Sequence, residues 1–149
     1  MKRFIFRLER ILQFRHSMEQ EEARRLGEAQ SVQEEQRRLA NEAAARVADA
    51  QTQMAAAPPL CRTAGTLTNM TLVLEAARSA QAAAEVAHRE SLAQVEKERV
   101  RYEEARQARR TVERLRERRH EDWHQDASRE EQQTIDEIAL RKHRLESAS

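Results

Sequence analysis

Pro58-Pro59-Leu60-Cys61-Arg62-Thr63-Ala64-Gly65-Thr66-Leu67-Thr68-Asn69 is the stretch that decides how this chain folds. Proline lacks the N–H that a helix needs, and its ring clashes with the preceding turn. Pro58 and Pro59 therefore end the segment before them. Gly65 adds backbone freedom, and Thr66, Thr68 and Asn69 can each cap a new helix start. Both prolines and one of the two glycines of the chain fall here. Everything on either side reads as uninterrupted helix. The expected fold is all-α, two long helices in an antiparallel coiled-coil hairpin with the second helix longer than the first. The expected bounds are helix 1 over about 3–57, a bend at about 58–69 and helix 2 over about 70–145, one hairpin across the chain.

Composition points the same way. Of 149 residues, 36% are charged and only 3% aromatic, so a thick core of large side chains is out of reach. Much of the apolar content is alanine, which suits a narrow stripe buried against another helix. Disorder competes, because charge is high and large apolars are sparse; the regular spacing of those apolars decides against it. The net charge of +1 gives no field strong enough to name a nucleic-acid partner. A single cysteine, Cys61, leaves no intrachain disulfide and suits a reducing compartment. The opening lacks a signal-peptide run, and no segment approaches the ~20 apolar residues of a membrane span. The expectation is a soluble, cytoplasmic protein.

In the first arm Phe4, Leu8, Ile11, Arg15 and Met18 step by three and four. After a slip, Leu26, Ala29, Val32, Gln36, Leu39, Ala43, Val47, Ala50 and Met54 continue at the ~3.5-residue repeat of a coiled coil. All three phenylalanines lie near the start, and the stripe thins to alanine toward the bend. Gly27 interrupts the helix at a cost of about 1 kcal/mol relative to alanine. In the second arm the stripe runs from Met70, Leu74 and Ala77 through Ala80, Ala84, Ser91, Val95 and Tyr102 to Trp123, Ile135 and Ile138. Folding at the bend pairs residues whose numbers sum to about 126, which puts Phe4 near Trp123 and Ile11 near Leu115. The second arm then overshoots, and residues 127–149 have no partner helix. Ile135, Ile138, Ala139 and Lys142 form a small face open to another molecule. Lys2, Arg3, Arg7 and Arg10 on one arm sit opposite the run from Arg109 to Arg119 on the other. That basic gathering is either a solvated face or a dock for an acidic protein surface; no aromatic platform accompanies it to suit nucleic acid.

Catalytic chemistry finds little support. His120-Glu121-Asp122-Trp123-His124 matches the H-E-x-x-H pattern, in which two histidines one turn apart share a metal. Such a site also needs a third ligand and a cleft, and Ala127 and Glu130 stand where the extended motif has glycine and histidine. The simpler reading puts Trp123 in the seam and both histidines on its flank. Cys61 has no nearby histidine to activate it, and two scattered glycines cannot cradle a phosphate. No catalytic residue, metal ligand or cofactor is expected.

Two stretches carry a resemblance. Phe4-x-Phe6-x-Leu8-x-x-Ile11-Leu12-x-x-Arg15 opens the chain, and Glu113-x-Leu115 with Ile135-Asp136-Glu137-Ile138-Ala139 closes it. Together with the size, the bend and the longer second arm, they resemble the FliJ family of the flagellar type III export apparatus. The resemblance implies a stalk like that of rotary ATPases, whose hairpin enters a FliI-like hexameric export ATPase and promotes its assembly. It also implies coupling of hydrolysis to an FlhA-like export-gate subunit, escort of export chaperones, and a membrane location reached only through these partners. Carried onto this sequence, the ring contact falls on Phe4, Phe6, Arg7, Arg10, Arg15, Ile135, Asp136, Glu137 and Ile138. The gate contact falls on Met70, Leu74 and Ala77. Injectisome stalks share the shape. The rivals from other classes are a structural coiled-coil scaffold, a hydrolase using His120 and His124, and a membrane-surface binder through Phe4–Phe14.

Overall fold

The computed structural model describes residues 4–58 and 63–146, with side chains to Arg144. Pro59, Cys61, Lys2 and Arg3 lie outside the described residues, as does the side chain of Leu145. Helix α1 spans Glu9–Ala56 and helix α2 spans Ala64–Glu146. No strand occurs among the described residues, and the second helix is the longer, 83 residues against 48. The two pack antiparallel as a hairpin.

The bend is shorter than the sequence suggests. Helix α1 stops one residue ahead of Ala57, whose backbone Pro58 biases away from the helical region. Helix α2 begins at Ala64, so Gly65, Thr66, Thr68 and Asn69 all lie inside it. Thr63 supplies the cap instead. Its hydroxyl accepts the Thr66 N–H at 3.3 Å, and its carbonyl accepts the first helical bond from Leu67 N–H at 3.0 Å. Threonines within the helix are satisfied locally, Thr68 on Ala64 O and Thr71 on Leu67 O, both at 2.9 Å.

The other end differs as well. Residues 4–8 are not helical, and α1 starts at Glu9 rather than near residue 3. Phe4-Ile5-Phe6 is a run of poor helix formers, whereas Glu9 places an acid in the first turn, where the helix dipole favours it. A bond from Glu9 N–H to Phe6 O at 3.1 Å turns the chain into the helix.

Contacts gather into two units, one of residues 1–19 with 104–149 and one of residues 20–103. In the first, the terminal unit, Phe4 packs on Trp123, Glu9 pairs with Arg116 and Glu19 pairs with Arg109. Each pairing falls within two residues of the expected register. In the second, Gln33 Nε2 lies 3.3 Å from His88 Nε2, five residues off that register. The short loop is the reason: with α1 ending at Ala56 and α2 starting at Ala64, the turn centres near residue 60, not 63.

The buried stripe of α1 has no slip. Leu8, Leu12, Glu19, Glu22, Leu26, Ala29, Gln33, Gln36, Ala40, Ala43, Val47, Ala50 and Met54 follow an unbroken four-three alternation, broken in burial only at the exposed Arg15. Sequence alone placed a slip between Met18 and Leu26 because glutamates fill the intervening positions. It also placed Val32 and Leu39 inward, where the structure turns Gln33 and Ala40. On α2 Gln81, not Ala80, occupies the seam. The core is thin: among the described residues only Ala43 and Val47 are buried apolar side chains, and no large side chain is fully enclosed.

Candidate docking site in the terminal unit

Phe4 anchors this unit. Its ring meets His120 edge-on at a centroid distance of 5.1 Å and Trp123 at 6.0 Å, while His120 and Trp123 lie 5.9 Å apart. Three mutually offset rings are a favourable arrangement for their quadrupoles. His120 is thus an aromatic neighbour of Phe4. Among the described residues no three His, Cys, Asp or Glu side chains converge on a possible metal position.

Around this cluster runs a groove formed by Phe4, Phe6, Arg7, Leu8, Leu115 and Trp123, with Arg119 at its edge. Ile5 also lines it and is 77% exposed. Of the residues expected to meet a ring, Phe4, Phe6 and Arg7 come together here; Arg10 and Arg15 are exposed on α1. A second groove lies along α2 beyond Trp123, bordered by Asp126, Ala127, Glu130, Glu131 and Ile135. Trp123 belongs to both. Ile135 and Ile138 are 59% and 62% exposed, so the apolar face of the overhang is open. Asp136 accepts a hydrogen bond from Gln132 at 2.9 Å, and Glu137 is exposed.

The basic run divides by role. Arg109 donates to Glu19 across the helices and to Glu113 one turn along α2. The hydrogen bond to Glu19 holds its guanidinium above the ordinary value, opposed by burial and aided by the charges of Glu19 and Glu113. Arg116 lies 3.4 Å from Glu9. Arg110, Arg114, Arg118 and Arg119 remain exposed. Sequence reasoning missed this division because Arg109 and Arg116 look like their neighbours; what marks them is the acid opposite each on α1, Glu19 and Glu9.

The flagellar FliJ protein family matches residues 4–147 of the chain. The chain belongs to the FliJ family. No curated protein and no solved structure matches it. Membership makes it a stalk-type component of flagellar export, in a family of adaptors rather than enzymes. No described helix is long and apolar enough to cross a membrane.

The FliJ match spans the bend unit too. Met70, Leu74 and Ala77 are half-buried on the seam side of α2 there. Leu72 and Val73, between them in sequence, are 56% and 61% exposed.

Proposed function

We propose that this FliJ-family chain acts as a non-enzymatic stalk that inserts its terminal unit into the ring of the flagellar export ATPase, stimulates hydrolysis and links it to the export gate. The observation that carries the reading is one unit bearing an exposed apolar face, Ile135 and Ile138, together with exposed arginines at Arg110, Arg114, Arg118 and Arg119. Apolar surface supplies contact energy, and the positive charge nearer the aromatic cluster speeds encounter with an acidic surface. The ring contact is assigned to Phe4, Phe6, Arg7, Arg10, Arg15, Ile135, Asp136, Glu137 and Ile138. The gate contact is assigned to Met70, Leu74 and Ala77, with the neighbouring Leu72 and Val73 offering the accessible apolar surface of that turn. Escort of export chaperones, and a cytoplasmic location held at the membrane only through partners, complete the proposal.

Reversing Arg7, Arg10 and Arg15 together tests it. Association with the purified export ATPase should slow, stimulation of hydrolysis should fall, and the deficit should be largest at low salt, where charges are least screened. Unchanged stimulation at low salt argues against electrostatic docking. Truncation after Ala127 should leave the hairpin folded and abolish ring docking; a truncated chain that stimulates normally removes the overhang from the site.

A further inference from the structure

Within the bend unit, α2 is apolar on the side where a two-helix hairpin should be polar. Its half-buried seam is Met70, Leu74, Ala77, Gln81, Ala84 and His88. Two residues on from each is about 200° round the helix. Leu72, Ala76, Ser79, Ala83 and Val86 therefore form a second four-three stripe on the side away from the seam. All five are exposed, Leu72 at 56% and Val86 at 43%, and Val73 beside them is 61% exposed. No charge falls on this stripe before Glu90. An ordinary amphipathic helix carries polar groups on that side. Large aliphatic side chains separated by alanine and serine suit a second helix instead: the small residues admit a close approach, and Leu72, Val73 and Val86 supply apolar area.

The charges beside the stripe select which helix. From residue 72 to residue 89 the charged side chains are Glu75, Arg78, Glu85 and Arg89. Glu75 and Arg89 follow Leu72 and Val86 by three residues, so they border the stripe; Arg78 and Glu85 lie one step further round. All four are exposed. A second copy laid antiparallel and centred near Ala82 brings Glu75 opposite Arg89 and Arg78 opposite Glu85. A two-fold axis makes each pairing twice. The same centre, within one residue, sets Ala76 against Val86 and Ser79 against Ala83. Small thus meets large at the ends of the contact, and small meets small in the middle. A parallel copy in register would set each charge against its own like.

We infer that the bend unit binds a second copy of itself, α2 against α2 and antiparallel over residues 72–86, with Glu75 of each copy beside Arg89 of the other. The contact is about 21 Å long and lined largely by small side chains. It falls short of the ~800 Å² per partner of a stable interface, so the dimer is weak and forms at high chain concentration. This goes beyond the proposed stalk function and uses the bend unit alone; self-association and ATPase stimulation fail separately.

Sedimentation equilibrium of the full chain under reducing conditions tests the pairing. The parent chain should pass reversibly from monomer to dimer as concentration rises. V86K should stay monomeric with unchanged helical circular dichroism, while I138K, in the overhang, should dimerise like the parent. E75R and R89E should each weaken self-association several-fold, because each sets like charges together at both ends of the contact. Mixing E75R with R89E in equal amounts should restore association as a heterodimer, since opposite charges then meet again. A parent chain that is monomeric at every concentration gives the face to a different molecule and overturns the proposal. Dimers that survive V86K, or that are lost in I138K, place the pairing elsewhere and overturn it too. So does a mixture that associates no better than its two components.

Discussion

Arg109 of α2 donates a hydrogen bond to Glu19 of α1, joining residues ninety positions apart, and both side chains are mostly enclosed, 21% and 14% exposed. The pair occupies positions that a leucine zipper would fill with apolar groups. A one-turn slide of either helix separates the two charges and leaves both partly desolvated without a partner. The pair therefore specifies register in a unit whose apolar contacts are few. Arg109→Ala or Glu19→Ala should lower the urea midpoint, and each should cost more than Arg116→Ala, whose pair with Glu9 is about half exposed. A double-mutant cycle should show coupling for Glu19 with Arg109 and little for Glu9 with Arg116. Equal effects at the two sites would remove the register role.

The aromatic cluster makes a second expectation measurable. Phe4→Ala removes two ring contacts, each worth about 0.5–1.5 kcal/mol beyond the area buried. Trp123 emission should shift to the red and become more quenchable, because Phe4 is a described neighbour of its ring. Helical circular dichroism should barely change, since residues 4–8 are not helical. A large loss of helix signal would mean that Phe4 holds more than the terminal segment.

Gly27 is a site for stabilisation. It lies exposed within α1 with ordinary helical backbone, and a Cβ built there meets nothing within 4 Å. Gly27→Ala should therefore raise stability by about 1 kcal/mol, through reduced backbone freedom in the unfolded chain. Chemical denaturation checks this; a neutral or negative result would require a role for Gly27 in bending or partner contact.

Two glutamates in the bend unit are more deeply buried than almost any other side chain, Glu22 at 8% and Glu98 at 5% exposure. Glu98 accepts from Gln94 at 2.7 Å and from Arg101 at 3.3 Å. Glu22 accepts from Arg25 at 3.1 Å through one oxygen, while its buried Oε2 has no hydrogen-bond partner among the described residues. An unsatisfied buried oxygen costs about 1–3 kcal/mol. Glu22→Leu should raise the urea midpoint, whereas Glu98→Leu, which breaks a satisfied network, should gain less. Light scattering on Glu22→Leu should also show more self-association, because a continuous apolar seam no longer selects one partner. A Glu22→Leu chain less stable than the parent would show that the carboxylate contributes favourably where it is.

Much of this fold was legible in residues alone. Two prolines in one short stretch, in a chain with almost no other helix breakers, require two helices. The unequal lengths on either side require an overhang. The meeting of Phe4 with Trp123 followed from counting outward from the bend. What failed was the assignment of individual side chains to the seam. Val32 and Leu39 are apolar and face outward, while Glu19, Glu22, Gln33 and Ala40 face inward. Hydropathy cannot find a seam built partly from charges and amides, because such a position is tolerated only if a partner on the other helix satisfies it. That partner is set by register, which follows the loop in the bend unit and the Glu19–Arg109 pair in the terminal unit. The loop in turn depended on a choice among several threonines, decided by which hydroxyl reaches a backbone N–H. Composition and periodicity thus determined the architecture, because they act within one helix. Tertiary packing decided the register, the division of arginines into paired and exposed, and the aromatic anchor of residues 4–8, because each of these is an energy shared between two segments that the sequence keeps far apart.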